Sequence, residues 1–314
     1  MTLEQLRIFV AVADRRHVTQ AAAALGITQS AASAAIAALE ARYDARLFDR
    51  VGRGIHLTET GRLLLSQARS VLDQVAVARA VLEDRAGEAT GTVAVAASQT
   101  IASYWLPRRL SAFRAAHPGV ELEVVIGNTR EVEAAVVEGT VNLGLVEGPT
   151  QHPALLRRVI DHDRPLLVVA AGQPPLPEIA PGRLDLRAIS WVIREEGSGT
   201  RHVLEELAQR EGLTLDELKI FLVLPVNEAV REAVEAGAGA TIISEHVVAS
   251  AVAAGKLHAI PIDLPPRDFT LVRHRARHLG FAPSVLFEHL VASRGAAVTA
   301  PSGSRVRATH SGAS

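Results

Sequence analysis

The sequence predicts an α/β chain in three parts: a small helical unit at the N-terminus, one long helix, and a larger two-lobed unit of alternating strands and helices. Three observations predict it. Apolar residues recur at helical spacing through residues 1–57. A narrow apolar seam steps by four and three through residues 58–85. From Thr92 onward, apolar runs of strand length alternate with amphipathic segments.

The chain has 314 residues, 48% of them hydrophobic, enough for two or three cores rather than one. Aromatics make up only 4%, so these cores are built from Ala, Val, Leu and Ile. With 33 basic and 34 acidic residues the net charge is −1, which excludes bulk affinity for polyanions. Binding to nucleic acid must then come from a local basic surface. Cysteine is absent, which removes disulfides, thiol nucleophiles and zinc sites built on Cys. Glu4, Arg7, Asp14, Arg15 and Arg16 interrupt the apolar positions near the N-terminus, so no signal peptide is expected there. Other apolar stretches fall short of a membrane span, and a cytoplasmic protein is expected.

In the first part Leu3, Leu6, Phe9, Val10 and Ala13 lie on one helical face. Thr19 is the expected N-cap of a helix over Gln20–Leu25, which Gly26 ends in the left-handed conformation. Thr28 caps the next helix, Gln29–Ala41. Two short helices about a Gly-Ile-Thr turn, the second carrying Gln29, Ser30 and Ser33 outward, make a helix-turn-helix. The segment LFDRVGRGIHLT then places Arg50, Arg53 and two glycines in a tight loop between Phe48 and Leu57, a two-stranded wing.

The stretch TQSAASAAIAALEARYDARLFDRVGRGIHLTETG resembles the signature of the LysR-type transcriptional regulators. Thr28, Gln29, Ser30, Ala31, Ser33, Ile36, Leu39, Glu40, Leu47, Phe48, Arg50, Leu57, Thr58 and Gly61 fall together in that family's spacing, and the order of parts agrees along nearly the whole chain. Two departures stand out. No Lys or Arg lies between Gln29 and Leu39, where relatives commonly carry one, and Tyr43-Asp44 replaces a usual Leu-Gly pair. Phosphate anchoring is therefore expected from Arg42, Arg46, Arg50 and Arg53 and base reading from Gln29 and Ser33, with methyl contacts from neighbouring alanines and with Thr28 and Ser30 also at the DNA-binding surface.

The linker stretch Thr58 to Arg85 spans about 28 residues, on the order of 40 Å as a helix. Leu64, Ala68, Val71, Val75, Ala78 and Leu82 draw one heptad-type seam along it, widened by Leu65 and Leu72. So narrow a seam is unstable alone, and the resemblance implies that this helix pairs two subunits on a near-palindromic duplex site.

The remaining segments give strands at TVAVAAS, ELEVVIG, NLGLVEG, PLLVVAA, SWVIR, FLVLPVN, ATIISEH, HAIPI and FTLVRHRAR. Helices run through WLPRRLSAFRAAHPG, Glu131–Glu138, Thr200–Arg210, Glu228–Ala236 and Pro283–Ser293. Alternation implies parallel sheet with crossovers. Two lobes joined by two crossings resemble the periplasmic-binding-protein fold, the effector domain of the resembling family. The expected division is 1–57 for the winged helix-turn-helix, 58–90 for the linker helix and 91–294 for the effector domain. Lobe I covers about 91–162 and 267–294, lobe II about 163–266, and 295–314 read as a disordered tail.

Two strand-to-helix turns carry the candidate ligand chemistry. Ser98, Gln99 and Thr100 form one; Glu196, Ser198, Gly199, Thr200 and Arg201 form the other. Ligands of parallel α/β sheets sit at carboxyl ends of strands, where helix N-termini offer free N–H groups to an oxyanion. Capping sequences use the same residue types. Asn128 and Asn227 occupy matching strand ends as weaker candidates. Glu147 would repel an anion unless paired with a base such as Arg201.

No constellation for catalysis is present. The Gly-Ser-Gly-Thr turn lacks the Lys and the spacing of a phosphate-binding loop, and Ser244 lacks a nucleophile elbow. His274 and His278 stand four apart among Arg273, Arg275 and Arg277, which repel a cation. The expectation is a regulator that is no enzyme and needs no cofactor. It binds operator DNA as a homodimer or homotetramer and senses a small anion in the cleft between lobes. The resemblance puts a sulfur oxyanion first and a small carboxylate next, with RNA polymerase as a candidate further partner. The alternative is a solute-binding transport component of the same two-lobed fold.

Overall fold

The computed structural model describes residues 1–51, 54–82 and 89–293. Three helices open the chain: α1 (Leu3–Arg15), α2 (Val18–Leu25) and α3 (Gln29–Tyr43). Thr2 caps α1 through a capping box with Gln5, and Thr28 caps α3 by accepting from the Ala31 N–H. The expected cap at Thr19 is displaced. Helix α2 already starts at Val18, and its N-cap His17 makes no side-chain bond. Gly26 ends α2 at φ +68°, which turns the chain sharply into α3.

The departure at Tyr43-Asp44 has a visible consequence. Asp44 ends α3 in the left-handed conformation at φ +47°, and its N–H bonds the Glu40 carbonyl. The turn that glycine makes at no steric cost is made here by an Asp, among the few other residues that visit this region. Strands β1 (Phe48–Val51) and β2 (Gly54–Leu57) pair antiparallel as the wing, with Phe48 opposite Leu57.

Helix α4 (Glu59–Leu82) follows, capped by Thr58, whose Oγ1 accepts from the Gly61 N–H at 2.9 Å. The apolar seam does not face one way. Leu65 and Ala68 are buried in the core of α1–α3, and Leu64 and Leu72 pack against it. Val71 and Ala78 stay exposed and Val75 half-buried. The side chain of Leu82, Arg53 and the expected tail at 295–314 lie outside the described residues.

Lobe I begins with β3 (Gly91–Ser98). A π-helical turn at Ile101–Trp105 leads into α5 (Leu106–Ala116), then β4 (Val120–Gly127), α6 (Thr129–Glu138), β5 (Leu143–Glu147) and β6 (Leu155–Asp163). Lobe II holds β7 (Pro165–Ala170), a hairpin β8 (Glu178–Ala180) and β9 (Arg183–Leu184), β10 (Ser190–Arg194) and α7 (Gly199–Arg210). It continues with β11 (Lys219–Leu224), α8 (Asn227–Glu235), β12 (Ala240–Ser244), α9 (Glu245–Ala253) and β13 (Leu257–Ile260). The chain returns to lobe I as β14 (Arg267–His274) and α10 (Phe281–Ala292).

The two central sheets run β4-β3-β5-β14-β6 and β11-β10-β12-β7-β13. Each is mixed rather than parallel throughout. Strand β14 pairs antiparallel with β5 and β6, and β7 pairs antiparallel with β12 and β13. The reason is the double crossing, because the strand that enters each lobe from the other, β14 or β7, runs against its βαβ units. Strand β6 and helix α9 have no counterpart in the sequence expectation. In LLRRVIDHD, charged residues mask the apolar run of an edge strand, and the apolar α9 reads as loop between two strands. No single helix among the described residues is long and apolar enough to cross a membrane.

The wing and linker meet at Gly61, where an added Cβ would lie 2.2 Å from the Leu47 carbonyl oxygen. Overpacking against backbone has no cheap relief. Gly61→Ala is expected to destabilise the N-terminal unit by about 1–3 kcal/mol, read as a lowered first transition in a thermal melt.

Candidate DNA-reading surface and interlobe cleft

The reading face of α3 follows from its buried face. Ala32, Ile36 and Leu39 point into the core, which leaves Gln29, Ser30, Ala34, Ala37 and Ala38 exposed and Ser33 half-buried. Gln29 Nε2 donates to Ser33 Oγ at 3.2 Å, and Thr28 Oγ1 shares a hydrogen bond with Ser30 Oγ at 3.0 Å. The four polar side chains thus form two ordered pairs at the start of the helix. Arg42 and Arg46 are exposed at its far end, with the Arg42 guanidinium 5.9 Å from the Tyr43 ring centroid. Arg50 lies on the wing strand β1.

Glu40 sets the angle between helix and wing. Its Oε1 accepts from the Leu47 N–H at 2.7 Å and the Phe48 N–H at 3.2 Å, while Thr58 Oγ1 donates to the Arg46 carbonyl at 2.7 Å. Both residues stand in the signature stretch, and only the structure shows that they position the wing. Arg69 of α4 then ties this unit to lobe I. It pairs with Asp14 of α1 and donates to the Glu138 carbonyl at the end of α6 at 3.3 Å.

The candidate ligand residues converge on the joint between lobes. Gln99 clamps a strand end of lobe II: its Nε2 donates to the Pro225 carbonyl at 2.9 Å and its Oε1 accepts from the Asn227 N–H at 3.0 Å. Asn227 Nδ2 donates to Thr100 Oγ1 at 3.1 Å, which donates to Glu147 Oε1 at 3.0 Å. Arg194 donates to the Asn227 side chain and holds Glu195 with two bonds of 2.8 and 2.9 Å. Asn128 caps α6 and reaches Glu195 Oε1 at 3.3 Å. Gly199 packs so tightly on β5 that a Cβ there would lie 2.0 Å from the Glu147 carbonyl oxygen.

One expected pairing is corrected. Arg201 does not meet Glu147; its Nε donates to Glu205 on the same helix at 2.8 Å. The base beside Glu147 is Arg267, 2.9 Å from Oε2, which also binds Asp163 Oδ2 through Nε at 2.7 Å and Thr200 Oγ1 through Nη1 at 3.1 Å. Arg267, Glu147 and Asp163 are all buried. Burial pushes the Glu147 carboxyl above its ordinary range against the pull of Arg267, and the Asp163 charge adds to the rise. No local pattern flags Arg267 or Asp163, which meet only through the fold.

Beside this joint lies a groove of about 410 Å³ onto which the N-terminal turns of α6 and α7 both open, with Thr129, Arg130, Ser198, Gly199 and Arg201 along it. Three of its acids are offset by partners: Glu147 by Arg267, Glu196 by Arg130 at 2.9 Å and Glu205 by Arg201. Burial, opposed by His152 and then Arg157, pushes Glu133 above its ordinary range. Ser198 Oγ caps α7 by accepting from the Thr200 N–H. Ser98 Oγ is buried and has no hydrogen-bond partner.

The bacterial regulatory helix-turn-helix domain of the lysR family matches residues 3–62, and the LysR substrate binding domain matches 86–294. This chain is a LysR-type transcriptional regulator. Such regulators are DNA-binding proteins and not enzymes. The helix-turn-helix match at the N-terminus leaves the transport-component reading without support. The regulator is 34% identical over 284 residues to the Escherichia coli protein named Uncharacterized HTH-type transcriptional regulator YeiE, covering 90% of this chain and 94% of that one. Its fold is similar to full-length OxyR from Pseudomonas aeruginosa, with TM-score 0.73, 21% identity and coverage of 94% and 97%. It is also similar to full-length LysG from Corynebacterium glutamicum with bound effector Arg, with TM-score 0.66, 20% identity and coverage of 94% and 98%.

The raised Glu147 pKa makes a signed prediction. The folded regulator holds a proton on Glu147 that the unfolded chain has already lost, so stability falls as pH rises from the ordinary carboxyl value to the raised one. Glu147→Gln keeps an acceptor for Arg267 and removes the titration. Urea melts at roughly pH 4 to 8 should show a flatter dependence in the variant, with the variant gaining most on wild type at the alkaline end.

Proposed function

We propose that this LysR-type regulator couples a small anion, held between its lobes, to the placement of paired winged helices on a near-palindromic operator. The observation that carries the anion is the buried Ser98 hydroxyl without a partner, on the strand that leads into the interlobe joint. A buried hydroxyl left unpaired costs free energy that a ligand oxygen recovers. Thr129 and Arg130 at the start of α6 and Ser198 and Gly199 at the start of α7 line the same groove, so two helix starts border one space. Sulfite or sulfate leads the ligand series. The groove volume of about 410 Å³ favours a small organic carboxylate as the second reading, because ligand pockets of organic molecules begin near ~300 Å³.

A ligand touching both lobes shifts their orientation only by its differential affinity for the two arrangements. Arg69, between α1 and the end of α6, is the contact that carries such a shift to the DNA-reading unit. Val71, Val75 and Ala78 remain for pairing of α4 with a second copy, since Leu64 and Ala68 are covered by their own domain. The exposed apolar edge strands β4 (Val124, Val125, Ile126) and β11 (Phe221, Val223) offer a second contact for a tetramer.

On DNA, Arg42, Arg46, Arg50 and Arg53 hold phosphates while Thr28, Gln29, Ser30 and Ser33 meet base edges. Arg50→Ala is therefore expected to weaken binding to all sequences alike and to lower the salt slope by about one. Gln29→Ala should instead narrow the gap between operator and random duplex. Gel shifts at two salt concentrations read both; an unchanged salt slope for Arg50→Ala would refute this division.

Titrating the full-length regulator with sulfite, sulfate and small carboxylates, beside a Ser98→Ala, Thr200→Ala double variant, tests the cleft. At least tenfold weaker binding by the variant is expected. Equal binding by both proteins rules out these residues as the site.

A further inference from the structure

Three arginines that the interlobe site does not use gather on lobe I. Phe269 and Leu271 of β14 pack beneath α10, and Arg273 continues the same strand face beyond them. Arg275 and Arg277 follow in the bend that ends the strand, and all three arginines line one cleft. Opposite them α10 presents Ser284, Phe287 and Glu288, which lie three and four residues apart on one helical face. Between the two runs a cleft of about 420 Å³ opens, with His278 on its rim.

The charge in this cleft is unbalanced. The side chains of Arg273 and Arg275 make no hydrogen bond or ion pair among the described residues, Glu288 included. Arg277 is anchored by its Nη1 and Nη2, which donate to the carbonyls of Val136 and Val137 at 2.8 and 2.6 Å at the end of α6. The positive field reaches inward: burial first, and then the Arg277 charge, lower the pKa of neighbouring His274. Guanidinium forks match phosphate oxygens in pairs, and a bound dianion relieves the mutual repulsion of the cluster. Phe287 supplies an apolar wall beside them, so the cleft suits an anion that carries an organic part.

We propose that this cleft, between the Arg273–Arg275–Arg277 run and α10, is a second ligand site that takes a small organic phosphate. Arg273 and Arg275 grip the phosphate, and Phe287 packs against the organic portion. The site goes beyond the interlobe reading and does not depend on it, because it shares no residue with the groove. Its place matters for regulation: Arg277 and Arg69 hold the same end of α6, one from this cleft and one from the linker helix.

The test uses phenyl phosphate and inorganic phosphate with the full-length regulator, titrated calorimetrically at constant ionic strength. Phenyl phosphate should bind saturably, one per chain, and at least threefold tighter than inorganic phosphate. An Arg273→Ala, Arg275→Ala variant, changed only at partnerless side chains, should bind it at least tenfold more weakly with an unchanged thermal melt. The Ser98→Ala, Thr200→Ala variant should bind it as wild type does. Non-saturable binding, equal binding by the arginine variant, or loss in the Ser98/Thr200 variant overturns the proposal. So does an arginine variant that loses DNA affinity while wild type takes up no phenyl phosphate, which would make the cluster a DNA contact.

Discussion

Arg267 opens β14 at the point where the chain crosses back into lobe I, and its register partner Asp163 closes β6 at the point where the chain leaves it. One buried guanidinium therefore joins both crossings and, through Glu147 and Thr200, the facing ends of β5 and α7. Ser244 Oγ adds a 2.6 Å bond to the same Asp163 from lobe II. A buried cation between two carboxylates is weak evidence for added stability, because desolvation offsets much of the attraction. What it supplies is geometry. Removing the cation would leave two buried carboxylates unmatched, a cost of about 3–5 kcal/mol, so the lobes meet in an arrangement that Arg267 dictates.

This constraint also accounts for an acid in the cleft proposed to take an anion. Glu147 is occupied on one oxygen by Thr100 and on the other by Arg267. Its position leaves the helix starts of α6 and α7 open to the groove. The acid thus belongs to the joint and not to the groove's free surface.

The DNA-reading unit rests on a different device. A reading helix without Lys or Arg between Gln29 and Leu39 has little electrostatic hold along its opening turns, so the angle of the wing carries more weight. Glu40 and Thr58 fix that angle with bonds to the backbone of the β1 approach. Much of the apolar seam at the opening of α4, at Leu64, Leu65 and Ala68, is given over to packing on the same unit.

Much of this was legible in the residues themselves. The helix-turn-helix, the wing, the cap at Thr28, the turn at Gly26 and most strands are written in short-range periodicity and in residues three apart, so sequence determines them. The two strand-to-helix turns at Ser98 and Ser198 were readable for the same reason, since strand end and helix cap adjoin in the chain. Where a signal depended on neighbours in space, it was not readable. Thr19 looks like a cap, yet α2 starts earlier because its core contacts decide its length. The edge strand β6 hides behind its charges. Above all, Arg267 and Asp163 stand 104 residues apart, and Arg201 was the nearer base to assign to Glu147. An ion pair leaves no mark on the residues between its partners. Only the folded chain, by burying these charges together, decided which base answers which acid.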